Sequence, residues 1–226
     1  MHPIQLFPEA AVGRGAERYA GATGERVWIS PSAWSKQETL RSLAVHGALL
    51  EPGVRTLAQF ATSLLVNHAA AARRLTPPQQ ADLIERIVAD GLKRDVLDPV
   101  RPLAASGALA RLARRVVNQL RADGVAPKLA RSRLAAEQPT ASASLAWIYW
   151  RYCEALDKHA LCDDASVVWL AVDVAAERPH AFAVLHATLR PYTSTELALA
   201  RATLGRAEQA VLIATAGPGE AAAAEV

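Results

Sequence analysis

The sequence predicts an α/β protein whose parallel sheet is interrupted by an all-helical insertion. Three observations carry this. From Ala181 to Thr215, an apolar run (Ala181-Phe182-Ala183-Val184-Leu185) leads through a helical stretch to a second apolar run, Ala210-Val211-Leu212-Ile213-Ala214. Both are uniformly apolar, as strands covered on both faces are. Residues 1–72 alternate short strand and helix signals, and residues 73–178 carry helical periodicity alone. The predicted organisation is therefore a first α/β part (1–72), a helical insertion (73–178), a second α/β part (179–215) and a disordered tail (216–226), with inter-strand helices supplying the right-handed crossovers that parallel neighbours need.

Each element has a local cause. Arg26-Val27-Trp28-Ile29-Ser30 reads as a strand stopped by Pro31. Ser35 and Glu38 have capping-box spacing in a helix that runs through Leu40, Leu43 and Val45 to Gly47. Pro52-Gly53 is a turn before the very short strand Val54-Arg55-Thr56. Thr56 and Gln59 then form a second capping box, opening a helix through Leu57, Phe60, Leu64 and Leu65.

In the insertion, Thr76-Pro77-Pro78-Gln79 starts a helix with proline in the first turn, where a missing N–H costs nothing. Leu83, Ile84, Ile87, Val88 and Leu92 fall on one of its faces. Ser106 to Gly124 forms the next helix, with Leu109, Leu112, Val116 and Leu120 inward and Gly124 beyond its end. The polar stretch Lys128–Thr140 reads as loop. Ser142–His159 is an aromatic-rich helix, and Asp163 or Asp164 caps another carrying Val167, Val168, Leu170 and Val174. Finally Thr193 and Glu196 form a capping box for a helix in which Leu197, Ala200, Leu204 and Ala207 recur at helical spacing, with Gly205 as a stop.

Composition narrows the class. Half of the 226 residues are hydrophobic (51%) and the net charge is only +3, so no strong bias towards nucleic acid follows. Two cysteines, Cys153 and Cys162, make no disulfide framework, and the chain reads as cytosolic. Met1-His2-Pro3-Ile4 does not resemble a secretory leader, and no apolar run reaches the ~18 residues of a membrane span.

Few residues suggest chemistry. A phosphate loop needs G-x-x-x-x-G-K-[ST], so that backbone N–H groups cradle the phosphates while lysine and hydroxyl complete the site. Val12-Gly13-Arg14-Gly15-Ala16 and Gly21-Ala22-Thr23-Gly24 lack the lysine and read as a loose surface loop, the alternative being a degenerate phosphate loop. Cys153, His159 and Cys162 fall short of the four ligands of structural zinc, and no cofactor or metal is implied. Arg111, Arg114, Arg115 and Arg121 either track a phosphate backbone or form a solvated helix face. Trp28, Trp147, Trp150 and Trp169 sit in apolar runs and read as core, while Trp34 is undecided. His186, at a strand end, has the chemistry of an acid or base but no evident carboxylate partner.

Taken in order, these elements resemble the amino-terminal half of AddB/RexB-type subunits of ATP-dependent helicase–nucleases, relatives of UvrD-like helicases. Ser30-Pro31-Ser32 and Thr56-Leu57-Ala58-Gln59-Phe60 resemble that family's strand-end and helix-start steps. Leu112, Val116, Leu120, Gly124 and Pro127 resemble its "L…ii.eLk.aGi.P" helix. Leu145 to Leu156 resembles "dla.iY..Y...L", Leu161 to Asp164 its "l.D", and Val184 to Glu196 its "vvDGF.dFTptE". The likeness spans about residues 4 to 215. Ala187 and Thr188 stand where the family has Asp and Gly, and Arg190-Pro191-Tyr192-Thr193 stands for "x-D-F-T".

The resemblance implies a P-loop-NTPase-like sheet and a domain of an ATP-dependent helicase–exodeoxyribonuclease, and the missing phosphate-loop lysine and carboxylates make the expected domain helicase-like but non-catalytic. It would act in double-strand-break repair, with an AddA-like helicase–nuclease subunit or DNA as partner and no membrane. The chain looks like a stand-alone or truncated first domain, with Arg111, Arg114, Arg115 and Arg121 as the candidate DNA or partner contacts. Two other readings stand beside it. One is a small-molecule enzyme at the sheet's carboxyl edge near Ser30, Thr56 and His186; the other is a fragment of a split gene without independent function.

Overall fold

The computed structural model describes residues 5–8, 12–46, 53–66, 73–134, 140–187 and 192–214. In chain order its elements begin with β1 (Gln5–Pro8), α1 (Val12–Gly21), β2 (Arg26–Ser30), α2 (Ala33–Ala44), β3 (Val54–Thr56) and α3 (Leu57–Leu65). Then come β4 (Arg73–Arg74), α4 (Pro77–Lys93), a 3₁₀ helix (Asp98–Leu103), α5 (Ala108–Ala122), α6 (Pro127–Leu134) and α7 (Ala141–Lys158). The last are β5 (Leu161–Cys162), α8 (Asp164–Glu177), β6 (His180–His186), α9 (Ser194–Gly205) and β7 (Ala207–Ala214). The chain divides into two compact units, Met1–Ala69 with Val168–Val226, and Ala70–Val167.

The first unit is built on a five-stranded sheet, all parallel, in the order β1-β7-β6-β2-β3. The step from β2 to β3 runs one way across the sheet and the step from β6 to β7 runs the other. Right-handed crossovers therefore set α1 and α2 on one face and α9 on the opposite face. Under α1 and α2 lie Ala16, Tyr19, Trp28, Leu43, Val54, Phe182, Val184, Val211 and Ile213. The alternate positions Val27, Ile29, Ala183 and Leu185 are buried too, so both faces of these strands are covered. Tyr19 meets Trp28 and Phe182 edge-on, with ring centroids 5.5 and 6.1 Å apart. The Arg26 guanidinium closes α1 by donating to the Tyr19, Ala20 and Ala22 carbonyls. Gly53, at φ +65°, passes so close to the Arg26 carbonyl that a Cβ would lie 2.6 Å from its oxygen.

Three expectations for this unit are corrected. The glycines at 12–21 form α1 rather than a surface loop. Gly15 is buried because α1 approaches the sheet closely, leaving a Cβ only 3.1 Å from Ile213 Cδ1 and 3.4 Å from the Trp28 ring. The cap of α2 is Ser32, whose hydroxyl accepts from the Ser35 N–H at 3.1 Å, so Ser35 lies inside the first turn and is buried. In α9 the buried residues are Thr195, Leu199, Ala200 and Thr203; Leu197 faces solvent, and Ala207 already begins β7. The capping boxes at Thr56/Gln59 and Thr193/Glu196 form as the spacing predicts. Gly47, Pro52, Thr188, Arg190, Pro191 and the tail 216–226 lie outside the described residues.

The second unit is helical, with α4, α5 and α7 packed pairwise around Ile84, Val88, Leu97, Leu109, Val117, Ile148, Tyr149, Tyr152 and Leu156. Thr76 and Gln79 make the capping box of α4, with proline at its start. Gly124, at φ +67°, ends α5 as the sequence predicts: the Gly124 N–H reaches the Arg121 carbonyl and the Val125 N–H that of Leu120. The buried stripe of α5 is Leu109, Ala113 and Val117, while Leu112 and Val116 are half-exposed. Part of the expected loop is the helix α6. Pro127 opens it and Ala130 is buried, while the Tyr149 hydroxyl holds the preceding Val125 carbonyl. No helix among the described residues is long and apolar enough to cross a membrane.

Candidate functional site at the carboxyl edge of the sheet

In an open parallel sheet, connections that leave neighbouring strands for opposite faces part above the strands' carboxyl ends and leave a crevice. Here that point lies between β2, which continues to α2, and β6, which continues to α9. Trp28 pairs with Val184 and Ile29 with Leu185, so the next residues, Ser30 and His186, end the two strands side by side on the face covered by α1 and α2. From the first turn of α2, Ser35 brings its Oγ to 3.3 Å from His186 Nδ1, and both residues are buried. The Tyr192 hydroxyl donates to the His186 carbonyl at 3.4 Å, and the Ala187 N–H to the Ile213 carbonyl at 2.8 Å. The strand tip is thus held on both sides. Ser30 is wholly buried, and its Oγ, like Nε1 of Trp28 on the same face, has no hydrogen-bond partner among the described residues.

Of the carboxyl-edge residues singled out from sequence, Ser30 and His186 come together, and Ser35 joins them. Thr56 is the register partner of Ser30 on β3, but its hydroxyl is used in the cap of α3. Trp34, beside Ser35, stays 72% exposed. A phosphate site of the P-loop kind would sit between β1 and α1. Glu9-Ala10-Ala11, which lie outside the described residues, and the start of α1, Val12-Gly13-Arg14-Gly15, contain no G-K-[ST] step. Among the described residues, no group of three or more His, Cys, Asp or Glu is arranged to hold a metal ion.

The four arginines part company. Arg111 and Arg115 are exposed, Arg114 is half-buried, and Arg111 also reaches back to the Ser106 carbonyl at 3.4 Å. Arg121 is engaged within the helical unit. Its Nε and Nη2 lie 3.0 and 3.1 Å from the two Asp163 oxygens, and Nη2 donates to Ser166 Oγ at 2.6 Å. Asp163, whose side chain is only 4% exposed, caps α8 by accepting from the Ser166 N–H at 2.8 Å. It also accepts from the Ser166 and Tyr152 hydroxyls. Burial alone would raise this carboxyl's pKa, but the Arg121 guanidinium and the two Ser166 donors outweigh it and hold it below the ordinary carboxylate range. The cap was readable from sequence; its arginine, 42 residues away, was not.

Of the tryptophans read as core, Trp28 is fully buried, whereas Trp147, Trp150 and Trp169 are half-buried. Trp150 carries the Arg131 and Arg151 guanidinium groups at 5.0 and 5.6 Å from its ring centroid. Cys153 and Cys162 are free and buried, and burial raises both thiol pKa values. That keeps them protonated, small hydrophobes rather than nucleophiles. No protein-family model matches the chain, and a search of the curated proteins returns no significant match.

Proposed function

We propose that this chain is a non-catalytic, helicase-like domain with a P-loop-NTPase-like sheet. It would serve an AddB-type helicase–nuclease assembly in double-strand-break repair by contacting a partner subunit or DNA. What carries the reading is the carboxyl edge itself. The order β1-α1-β2 followed by β6 at the sheet's centre supports it, since a helicase relative would hold phosphates after its first strand and a metal ion at the end of such a central strand. The residues there lack the groups for it: Val12-Gly13-Arg14-Gly15-Ala16 has no G-K-[ST], and β6 ends in His186 bonded to Ser35, followed by Ala187. Phosphoryl transfer is mostly electrostatic positioning, so without lysine and carboxylates there is no catalytic power to recover.

The test is nucleotide hydrolysis by the purified chain with Mg²⁺, with and without DNA. The expected rate equals the blank, and turnover that His186→Ala abolishes would overturn the reading. If Arg111, Arg114 and Arg115 meet DNA, affinity falls with salt, and each removed contact flattens the log–log slope by about one unit. Failure to bind either DNA or an AddA-type subunit leaves the domain without its proposed role.

One observation favours a second reading, a small-molecule enzyme at the same edge. Ser30 keeps an unpartnered buried hydroxyl next to the Ser35–His186 pair, at the position where open α/β sheets bind ligands. A metabolite that raises the melting temperature of the native chain but not of Ser30→Ala supports it; the absence of any such metabolite removes it.

A further inference from the structure

In the second unit, α4 and α7 run in opposite directions: Gln80 bonds the Tyr152 hydroxyl near one end, and Gly91 lies against Trp147 near the other. Two antiparallel helices leave a groove on each side of their contact, and α5 packs against both helices and fills one. The other is open, a cleft of about 330 Å³. Leu83, Ile87 and Ala155 line it with apolar surface, and they are the positions that would face a further helix. Its cations are Arg86, Arg94, Arg151 and Lys158, against the carboxylates Asp90 and Glu154.

We infer that this groove is the docking site for an acidic amphipathic helix of a partner protein. An apolar floor with charged walls is the helix-in-groove arrangement, in which apolar anchors at i, i+3/i+4 and i+7 fill the floor and flanking residues meet the rim. From Leu83 to Arg94 the groove runs about 16 Å, at 1.5 Å per residue, the length of three helical turns. The sign of the partner follows from the rim. Among the described residues, the acids that Arg86, Arg94 and Arg151 pair with lie one turn away, Asp82, Asp90 and Glu154, and Arg151 also lies over the Trp147 and Trp150 rings. Such solvent-exposed pairs are weak and are readily exchanged for a partner's carboxylates. Lys158 adds a further charge of the same sign. Nothing in this inference depends on the sheet being a helicase relative.

The experiment uses the full chain and a synthetic sixteen-residue helical peptide, with leucine at i, i+3, i+7 and i+10 and glutamate flanking them. Isothermal titration is run beside lysine-flanked and sequence-scrambled versions. The glutamate peptide binds, more weakly as salt rises, and the other two do not. Arg86→Glu with Lys158→Glu weakens it by about tenfold or more, as reversed rim charges do, and transfers preference to the lysine peptide. An unchanged circular dichroism spectrum shows that the variant folds. Absence of binding, or equal affinity for both charged peptides, overturns the inference. So does a single-stranded oligonucleotide that competes for the groove and is lost with the same reversal, which would make the site a nucleic-acid one.

Discussion

Replacing Asp163 by alanine tests whether the second unit is held by a buried ion pair. The change removes the two bonds to Arg121, the cap of α8 through the Ser166 N–H, and the acceptor for the Ser166 and Tyr152 hydroxyls. Arg121 is left 80% covered by protein with no carboxylate, since its side chain is 20% exposed. Breaking one side of a buried pair costs about 3–5 kcal/mol, chiefly through the stranded charge. The residual exposure of Arg121 admits some water, so the lower half of that range, about 3–4 kcal/mol, is expected, with about 1 kcal/mol of it from the lost cap. This is a large fraction of the roughly 5–15 kcal/mol that holds a typical domain. Urea unfolding followed by far-ultraviolet circular dichroism at pH 7 measures it. Arg121→Met combined with Asp163→Leu should recover most of the loss, because it strands neither charge. A loss below about 1 kcal/mol for Asp163→Ala would refute the reasoning. The pH dependence has a definite sign. The native carboxyl gives up its proton more readily than the unfolded one, so its contribution is present above the ordinary carboxylate range and disappears as pH falls through the lower native value.

Two further predictions follow from packing and burial. Gly91→Ala would ordinarily strengthen α4 by about 1 kcal/mol. Here the new Cβ would lie 2.7 Å from both Leu97 Cδ1 and Trp147 Cζ3, and overpacking of about 1–3 kcal/mol makes the net effect destabilising; a variant with a higher urea midpoint would show that the contact relaxes freely. His180 is buried against the Phe60 ring, and burial lowers its imidazole pKa below 6.5, Glu25 at 3.8 Å only partly opposing this. The unfolded chain therefore takes the proton first, and stability drops as pH falls from 6.5 towards the lower native value. The fall in urea midpoint between pH 7 and pH 5.5 should shrink in His180→Phe, and an equal fall in both proteins would show that other groups set it.

What could be read from the sequence was what is decided within one turn. The boxes Thr56/Gln59 and Thr193/Glu196 close over three residues and form, whereas the Ser35/Glu38 spacing misled because Ser32, one turn earlier, caps α2. The glycines of α1 misled because their reason lies on other strands: Gly15 is small where Ile213 and Trp28 come close, and no neighbour in sequence announces that. The polar run of α6 misled in the same way, since its docking depends on Tyr149.

The same logic separates what was found of the carboxyl edge from what was not. His186 and Ser30 stood out as strand ends, but Ser35 looked like a cap, and it reaches His186 across 151 residues only through the order β7-β6-β2. That order is set by apolar strands and right-handed crossovers, without reference to the residues at the tips. The fold would therefore survive a change of chemistry at those tips. At the end of β6 an imidazole bonded to a helix hydroxyl satisfies the strand end as a metal-bound carboxylate would, and it asks for no ion.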